Sequence, residues 1–247
     1  MPKKKRLDVV LAERGLTHSR SRAQALVIAG RVKVDGVVVT KAGTGISEDS
    51  RVEVIEPDHP YVGRGALKLV AALDAFDIDP ANLFCLDVGA STGGFTDVLL
   101  TRGARRVIAL DVGRGQLDWK LRSDQRVVVM EGINARHLGP DDLEFPVQLI
   151  VMDLSFISLT KVVPAVIQHL EPGGHLICLI KPQFEAGRHE VGRGGIVRDE
   201  AVRTRVVSAT INALEGLGLT LIGQVPSPIR GQKGNQEDLA VFRKSVK

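Results

Sequence analysis

A glycine-rich turn between an apolar segment and a helix-like segment constrains the fold of this chain more than any other feature. The turn, Asp-Val-Gly-Ala-Ser-Thr-Gly-Gly-Phe-Thr-Asp, occupies residues 87–97, after the strand-like residues 83–86 and before the helix-like residues 98–100. Glycines let a ligand approach bare backbone N–H groups near the positively polarised start of a helix. In an open α/β sheet such a turn lies at the carboxyl edge of the strands, where ligands bind. The segment therefore predicts a site for a nucleotide-like cofactor.

The chain from residue 64 onward alternates between strand-like and helix-like patterns. The apolar, strand-like runs are 83–87, 106–111, 126–130, 147–153, 175–181, 219–225 and 238–243. The helix-like segments include 64–76, 159–170 and 200–217. This alternation is typical of an α/β, Rossmann-like domain, so we expect a mainly parallel seven-stranded sheet covered on both faces.

The first sixty residues have a different pattern, which indicates a separate small α+β domain. Residues 6–14 and 20–29 are helix-like, Asp35-Gly36 is a hairpin turn signal between valine-rich segments, and residues 51–55 are strand-like. A polar, proline-bearing stretch follows at 56–60. We therefore predict a small domain at 1–56, a linker at 57–63 and the larger domain at 64–247.

The distribution of charge indicates a polyanionic partner. The chain carries a net charge of +4, yet residues 1–35 alone contain nine lysines or arginines and three acids. The rest of the chain is therefore slightly acidic, and a solvated basic surface without a partner is the alternative. With no apolar run long enough to cross a bilayer and no signal peptide, we expect a cytoplasmic protein without a membrane partner. The two cysteines, Cys85 and Cys178, are in apolar strand-like runs and favour buried thiols rather than a disulfide or a metal site.

The spacing of the glycines distinguishes between cofactors. A dinucleotide site would have the pattern G-x-G-x-x-G, whereas here Asp87 is followed by the G-x-x-x-G-G pattern that is typical of class I S-adenosylmethionine methyltransferases. Asp111 ends the next strand-like run and is suited to accept hydrogen bonds from ribose hydroxyls. Asn134 follows the third run, where adenine would lie, and Asp153 ends the fourth, near the methionine end of the cofactor. The predicted cofactor-binding residues are Gly89, Ala90, Ser91, Thr92, Gly93, Gly94, Phe95, Thr96, Asp111, Val112, Asn134 and Asp153.

Four further charged residues form the candidate catalytic group. Lys181 ends an apolar strand-like run, Lys68 lies on the helix before the first strand, and Asp153 and Glu237 lie near strand ends. A lysine that removes a proton from a ribose 2′-hydroxyl needs a pKa lowered toward neutrality, and burial or a nearby cation lowers it. We therefore interpret Lys181 as the general base and the other three residues as orienting groups. Spacing alone does not choose between Glu237 and the adjacent Asp238.

The chain resembles the TlyA family, ribosomal RNA (cytidine-2′-O)-methyltransferases that are also labelled hemolysin A. The resemblance covers nearly the full length. The motifs that carry it are residues 19–23, 29–32, 64–69, 87–97, 111–118, 153–159, 181–187 and 234–237. It implies an N-terminal RNA-binding domain similar to that of ribosomal protein S4, followed by an FtsJ-like methyltransferase domain that uses S-adenosyl-L-methionine.

The resemblance also implies roles for particular residues. FtsJ-type enzymes use a Lys-Asp-Lys-Glu tetrad, which matches Lys68, Asp153, Lys181 and Glu237, so that the family pattern selects Glu237 over Asp238. The family's targets are cytidines of 23S rRNA and, in some members, also of 16S rRNA. rRNA or the ribosomal subunits are thus the expected partners, and no metal site is expected. The residues expected to contact RNA phosphates are Lys4, Arg6, Arg20, Arg22 and Lys41.

Two other functions are compatible with parts of the sequence. The chain would be a non-catalytic RNA-binding assembly factor if the cofactor site were vestigial, although the complete tetrad argues against this. The hemolysin label suggests a membrane-lytic protein, but nothing in the sequence supports this directly. No predicted helix is strongly apolar, and the basic N-terminus is equally consistent with RNA binding.

Overall fold

The computed structural model describes residues 4–17, 20–28, 30–55, 59–231 and 233–246, without the side chains of Ser21, Arg22, Ala25 and Arg188. The chain divides into two compact units, Met1–Pro60 and Tyr61–Lys247. This division falls inside the segment 57–63 that the sequence analysis assigns to a linker.

Where the first unit is described, it contains two short helices and five short strands. These are β1 (Lys5–Arg6), α1 (Leu7–Glu13), α2 (Arg20–Ile28), β2 (Val32–Val34), β3 (Val37–Val38), β4 (Gly45–Ile46) and β5 (Val52–Val54). The hairpin predicted at Asp35-Gly36 is present: β2 and β3 pair through Val34 and Val37, and both turn residues have positive φ angles. The strand order is β3-β2-β5, and β1 pairs with β4 in a separate two-stranded sheet.

The core of the first unit follows from the helical spacing of its apolar residues. Leu7, Val10 and Leu11 lie on one face of α1, and Ala23 and Val27 lie on one face of α2. All five side chains are buried in one cluster with residues from the two sheets.

The second unit contains a seven-stranded sheet and six α-helices within the described residues. Its strands are β6 (Phe84–Val88), β7 (Arg106–Asp111), β8 (Val127–Glu131), β9 (Val147–Met152), β10 (Leu170–Ile180), β11 (Leu219–Pro226) and β12 (Asp238–Lys244). Its helices are α3 (Ala66–Ala75), α4 (Gly94–Thr101), α5 (Trp119–Arg122), α6 (Val163–Val166), α7 (Pro182–Glu185) and α8 (Glu200–Glu215). Across the described ranges, no helix is long and apolar enough to span a membrane.

The sheet confirms the predicted mainly parallel, seven-stranded arrangement. Its strand order is β11-β12-β10-β9-β6-β7-β8, and β10, β9, β6, β7 and β8 are parallel to their neighbours in that series. Strand β12 alone runs antiparallel to both of its neighbours, β10 and β11. The start of β12 therefore lies beside the carboxyl end of β10, where Ile180 pairs with Asp238.

Both faces of the sheet are covered, as its continuous apolar strands predict. Alternate residues of a strand contribute to opposite faces: Leu86 and Val88 belong to one buried cluster, and Cys85 belongs to the other. Cys85 and Cys178 are free and buried, as expected from their apolar surroundings. Burial raises the pKa of the Cys85 thiol to about 12, so this thiol is held in its neutral form.

One predicted helix is broken in the structure. The segment 159–170 forms a 3-10 turn at Leu159–Lys161, the single-turn helix α6 and a second 3-10 turn at Ile167–His169. Pro164 lies in the first turn of α6, and proline there cannot donate the backbone hydrogen bond that would join α6 to the preceding turn. The helical pattern predicted around 159–170 is therefore present, as three short helical pieces whose apolar residues pack on the sheet.

Candidate active site

The glycine turn between β6 and α4 approaches its neighbours so closely that two of its positions require glycine. Gly89 has a φ of 85° and Gly93 a φ of 97°, both in the left-handed region. A Cβ atom added to Gly89 would lie 2.8 Å from the backbone oxygen of Asp153. One added to Gly93 would lie 2.2 Å from Cδ1 of Leu121. The turn is therefore packed against the end of β9 on one side and against α5 on the other.

A cavity of about 380 Å³ lies beside this turn, at the carboxyl ends of β6, β7 and β9. Asp111, the last residue of β7, lines it. Its two carboxylate oxygens accept hydrogen bonds from the backbone N–H of Ser91 at 2.8 Å and of Gly113 at 2.6 Å. A carboxylate oxygen has further lone pairs, so Asp111 retains the capacity to accept hydrogen bonds from ligand hydroxyls.

The remaining walls of this cavity suit a flat, partly apolar group. Asn134 caps the 3-10 turn Ala135–His137 and accepts a hydrogen bond from the backbone N–H of Arg136 at 3.2 Å. Val112, Ile133 and Leu154 also line the cavity. Apolar walls with a few placed polar groups are typical of a nucleoside pocket. The predicted ribose and adenine residues therefore lie around one cavity.

A second cavity, of about 430 Å³, adjoins the first. Residues that line both include Gly89, Ser91 and Asp153. The predicted cofactor residues that line the second cavity are Gly89, Ala90, Ser91, Thr92, Gly94, Phe95 and Asp153. Gly93 and Thr96 line neither cavity: Gly93 packs against α5, and Thr96 is fully buried and donates a hydrogen bond to Asp87 at 2.7 Å.

The four residues of the predicted tetrad all line the second cavity, as two lysine–carboxylate pairs. Lys68 Nζ lies 2.6 Å from Glu237 Oε2, and Lys181 Nζ lies 2.5 Å from Asp153 Oδ1. Both lysines are more than 90% buried. Buried ammonium groups require paired partners, and each lysine here has one.

Two neutral side chains extend this group. Ser155 Oγ lies 3.1 Å from Lys181 Nζ, and the amide nitrogen of Gln183 lies 3.4 Å from Glu237 Oε1. Ser155 and Gln183 line the second cavity with the tetrad. The lysine–carboxylate pairs are therefore embedded in a polar cluster whose members come from four separate segments of the chain.

The reversal of β12 explains how Glu237 reaches this cluster. Residues 153 and 181 follow parallel strands, so they share the carboxyl edge of the sheet with the glycine turn. Glu237 precedes an antiparallel strand, so that its start lies at the same edge. The neighbouring Asp238 instead forms an ion pair at 2.9 Å with Arg203 of α8. The structure therefore places Glu237 in the cavity and Asp238 outside it, a distinction that the spacing in the sequence could not make.

Asp87 is a further candidate site residue that lies outside the predicted set. It is fully buried at the second cavity, and its Oδ1 has no hydrogen-bond partner among the described residues. Burial raises the pKa of Asp87 to about 7, opposed by the hydrogen bond from Thr96 and assisted by the charge of Asp153. An unpartnered carboxylate oxygen at this position fits a ligand ammonium group, such as the α-amino group of a methionine moiety.

Other lining residues were missed because their signal is weak in one sequence. Arg64, Phe156 and Phe184 line the second cavity, and Phe156 is 88% exposed with a φ of 65°. Each belongs to a family motif, at 64–69, 153–159 or 181–187, yet none has a spacing that predicts contact with the site. An exposed phenylalanine becomes informative only when its neighbours in space are known.

The candidate RNA-binding residues of the first unit are organised by a buried carboxylate. Asp8 is fully buried, accepts two hydrogen bonds of 3.0 Å from Arg6, and accepts one from Arg20 at 3.1 Å and one from Gln24 at 2.8 Å. The Arg6 and Arg20 side chains remain about half exposed. Lys4 and Lys41 are exposed, and the side chain of Arg22 lies outside the described part of the chain. Arg6 and Arg20 therefore form a fixed cationic pair, which the sequence analysis did not foresee.

Comparison with known proteins agrees with this fold. The FtsJ-like methyltransferase family model matches residues 61–244, and the S4 domain model matches residues 5–52. An S-adenosylmethionine-dependent methyltransferase from Listeria monocytogenes shares the fold, with a TM-score of 0.55 and 16% identity over 74% of this chain and 100% of that chain. The fold and the site thus define a methyltransferase of the FtsJ-like class, which supports S-adenosyl-L-methionine as the cofactor.

Relatives with higher sequence identity to this chain identify its family within this class. The chain is 47% identical to the 16S/23S rRNA (cytidine-2′-O)-methyltransferase TlyA of Mycobacterium tuberculosis, over 96% of this chain and 89% of that protein. It is 44% identical to hemolysin A of Brachyspira hyodysenteriae, over 96% of this chain and 99% of that protein. A solved structure described as a hemolysin of Streptococcus thermophilus has a TM-score of 0.78 and 40% identity, over 100% of this chain and 90% of that chain. The chain belongs to the TlyA family of FtsJ-like methyltransferases.

Proposed function

We propose that this protein transfers the methyl group of S-adenosyl-L-methionine to the 2′-hydroxyl of a cytidine in ribosomal RNA. The proposal depends on one observation above all: two lysine–carboxylate pairs line one cavity beside the glycine turn. A relative of similar length is named for this reaction, and the S4 domain match supplies a module for RNA. Because ribosomal RNA is the substrate, the proposed location is the cytoplasm.

The two adjoining cavities suit the two ends of the cofactor. Asp111 and Asn134 would hold the ribose and the adenine, and Asp87 with the glycine turn would hold the methionine end. The fit rests on the unpartnered oxygen of Asp87 and on the close approach at Gly89, where a side chain would fill the cradle. When bound, S-adenosyl-L-methionine supplies an electrophilic methyl carbon on a sulfonium sulfur.

The tetrad would prepare the ribose hydroxyl for methylation. A 2′-hydroxyl is a weak nucleophile, so its proton must leave as the new C–O bond forms. Lys181 Nζ would be the acceptor of that proton, and Asp153 and Ser155, in contact with Nζ, would fix its position. The Lys68–Glu237 pair, on the other part of the cavity wall, would orient the hydroxyl and balance the charge that develops.

Replacement of Lys181 tests the assignment of the base. We expect Lys181→Ala to lower the rate of methyl transfer to rRNA by about 100-fold or more, the magnitude typical of a lost general base. Cofactor affinity, measured by calorimetry, should change by less than about threefold. Lys161→Ala is the matched control, because Lys161 is an exposed lysine that lines neither cavity. Normal methyl transfer by Lys181→Ala would refute this role.

The choice of ribosomal subunit is tested on purified particles. We propose 23S rRNA as a substrate and 16S rRNA as a second one, because the 47% identical relative is named for both. Mapping of 2′-O-methyl groups on 30S and 50S subunits incubated with the protein distinguishes the two. Methylation of 50S subunits alone would remove 16S rRNA from the proposal, and methylation of neither would contradict the proposed substrate.

A further inference from the structure

Glu185 connects the two catalytic segments of the large unit. It is the last residue of α7, in the segment that follows β10 and begins with Lys181. One of its carboxylate oxygens accepts a hydrogen bond from the backbone N–H of Leu159 at 2.8 Å, and the other accepts one from Ser158 Oγ at 2.5 Å. Both donors belong to the segment that follows β9 and begins with Asp153. The two segments are therefore joined at a second point, away from the Asp153–Lys181 pair.

The segment between Asp153 and Leu159 needs such an anchor. Phe156 has a positive φ, which a bulky side chain adopts rarely and only when the surrounding structure enforces it. The Phe156 ring lies 5.2 Å from that of Phe184, on the segment that carries Glu185. At one end the segment is held by the ion pair of Asp153 with Lys181, and at the other end by Glu185. Loss of the second anchor would release the strained residue between them.

Glu185 is not itself in reach of the reacting groups. It is absent from the described residues that line the two cavities, whereas its neighbours Gln183 and Phe184 line the second. Burial raises the pKa of Glu185, opposed by the hydrogen bonds from Ser158 and Leu159. Among the described residues, the half-buried Glu185 carboxylate accepts its hydrogen bonds from two donors of one loop, which ties it to that loop.

We propose that Glu185 is a positioning residue, which acts through Ser158 and Leu159 to hold Asp153 and Ser155 against Lys181. The inference rests on the proposed function, because it concerns the placement of the same base. It adds a residue that acts from outside the tetrad and outside both cavities. Its consequence is that the rate of methyl transfer depends on the Glu185 hydrogen bonds while cofactor binding does not.

The test compares Glu185→Ala with Glu185→Gln in the full-length protein. Glutamine retains an acceptor oxygen for the Leu159 N–H and an amide that can donate to Ser158 Oγ, whereas alanine retains neither. We expect Glu185→Ala to lower kcat for rRNA methylation by about 10- to 100-fold, as for the loss of a charge-assisted anchor, with the affinity for S-adenosylhomocysteine changed less than about threefold. Glu185→Gln should recover most of the lost rate.

Two further variants separate positioning from general destabilisation. Ser158→Ala removes one of the two hydrogen bonds, so its effect should be smaller than that of Glu185→Ala, and the two effects should not add in the double variant. Glu171→Ala is the matched control, since Glu171 accepts a hydrogen bond from Gln148 at the opposite edge of the sheet. Its kcat should stay within about twofold of the wild type.

The outcomes distinguish failure of this inference from failure of the proposed function. If the wild type does not methylate rRNA, the proposed function fails. If the wild type and Glu171→Ala are active and Glu185→Ala is equally active, the positioning role is wrong. Equal loss of rate in Glu185→Gln and Glu185→Ala would also overturn it, because glutamine keeps the hydrogen bonds. If Glu185→Ala does not fold, Ser158→Ala and Glu185→Gln decide between these results.

Discussion

The small and the large unit both pair carboxylates with cations, but they use different cations. In the small unit, the buried Asp8 binds two arginines whose side chains remain about half exposed. In the large unit, Asp153 and Glu237 each pair with a lysine that is more than 90% buried beside a cavity. The carboxylates hold their cations in comparable ways. The two units differ in the chemical properties of the cation, arginine in one and lysine in the other.

Arginine and lysine differ in how permanently they are charged. The guanidinium group keeps its proton at any physiological pH and has five donors in a planar fork, so Arg6 and Arg20 have donors to spare for phosphate after binding Asp8. A lysine can give up its proton when its surroundings favour the neutral form, which a general base requires. The arginines of the small unit thus match the proposed phosphate binding, and the lysines of the large unit match the proposed proton transfer.

The largest effect is expected from a comparison of the two adjacent acids at the start of β12. Glu237→Gln removes the charge that pairs with Lys68 in the cavity, so we expect kcat to fall by about 100-fold. Asp238→Asn weakens the ion pair with Arg203, so it should lower the free energy of unfolding by about 1–3 kcal/mol and leave kcat nearly unchanged. Methylation kinetics and chemical denaturation measure the two effects. Equal kcat losses in the two variants would contradict the assignment of Glu237.

An intermediate effect is expected from the arginine pair of the small unit. The double variant Arg6→Ala/Arg20→Ala should weaken binding of rRNA fragments by about 30-fold, since each lost phosphate contact contributes roughly 1 kcal/mol. The slope of log affinity against log salt should fall by about one for each lost contact, while kcat at saturating RNA stays unchanged. Arg51→Ala is the control, because Arg51 is exposed and pairs with Glu53 rather than with Asp8. A large fall in kcat at saturating RNA would contradict the assignment of RNA binding to the small unit and of methyl transfer to the large unit.

The smallest effect is a pH dependence of cofactor binding that Asp87 would cause. Burial raises the pKa of Asp87 to about 7, so the folded protein binds a proton that the unfolded chain has lost, and this group lowers stability as the pH rises from about 4 to 7. An ammonium group bound at Asp87 favours the ionised carboxylate. We therefore expect the affinity for S-adenosylhomocysteine to rise by up to about tenfold between pH 6 and pH 8.

Calorimetry at both pH values measures this change. Asp87→Asn has no charge at this position to titrate, so its affinity should be lower and should vary little over the same range. If the wild type and Asp87→Asn show the same pH dependence, Asp87 does not bind the ammonium group.

Local patterns in the sequence were sufficient for much of the fold. The alternation of apolar runs predicts the seven strands, and the hairpin at Asp35-Gly36 forms as its residues require. The division of the helical segment 159–170 into short pieces also has a local cause, because Pro164 interrupts the backbone hydrogen bonds of a helix. Whether a segment forms a helix or a strand thus follows from residues that are close together in the sequence. Whether a helix is continuous depends on single residues such as Pro164.

The sequence by itself determined the glycine turn and the strand-end acids, and its resemblance to a family singled out the four residues of the proposed tetrad. Only the tertiary structure decided which lysine pairs with which carboxylate, which of two adjacent acids enters the cavity, and that Glu185 accepts hydrogen bonds from the segment after β9. The physical reason is that these contacts join residues far apart in the chain. They arise from the order of the strands and the reversed direction of β12, which depend on the packing of the whole sheet.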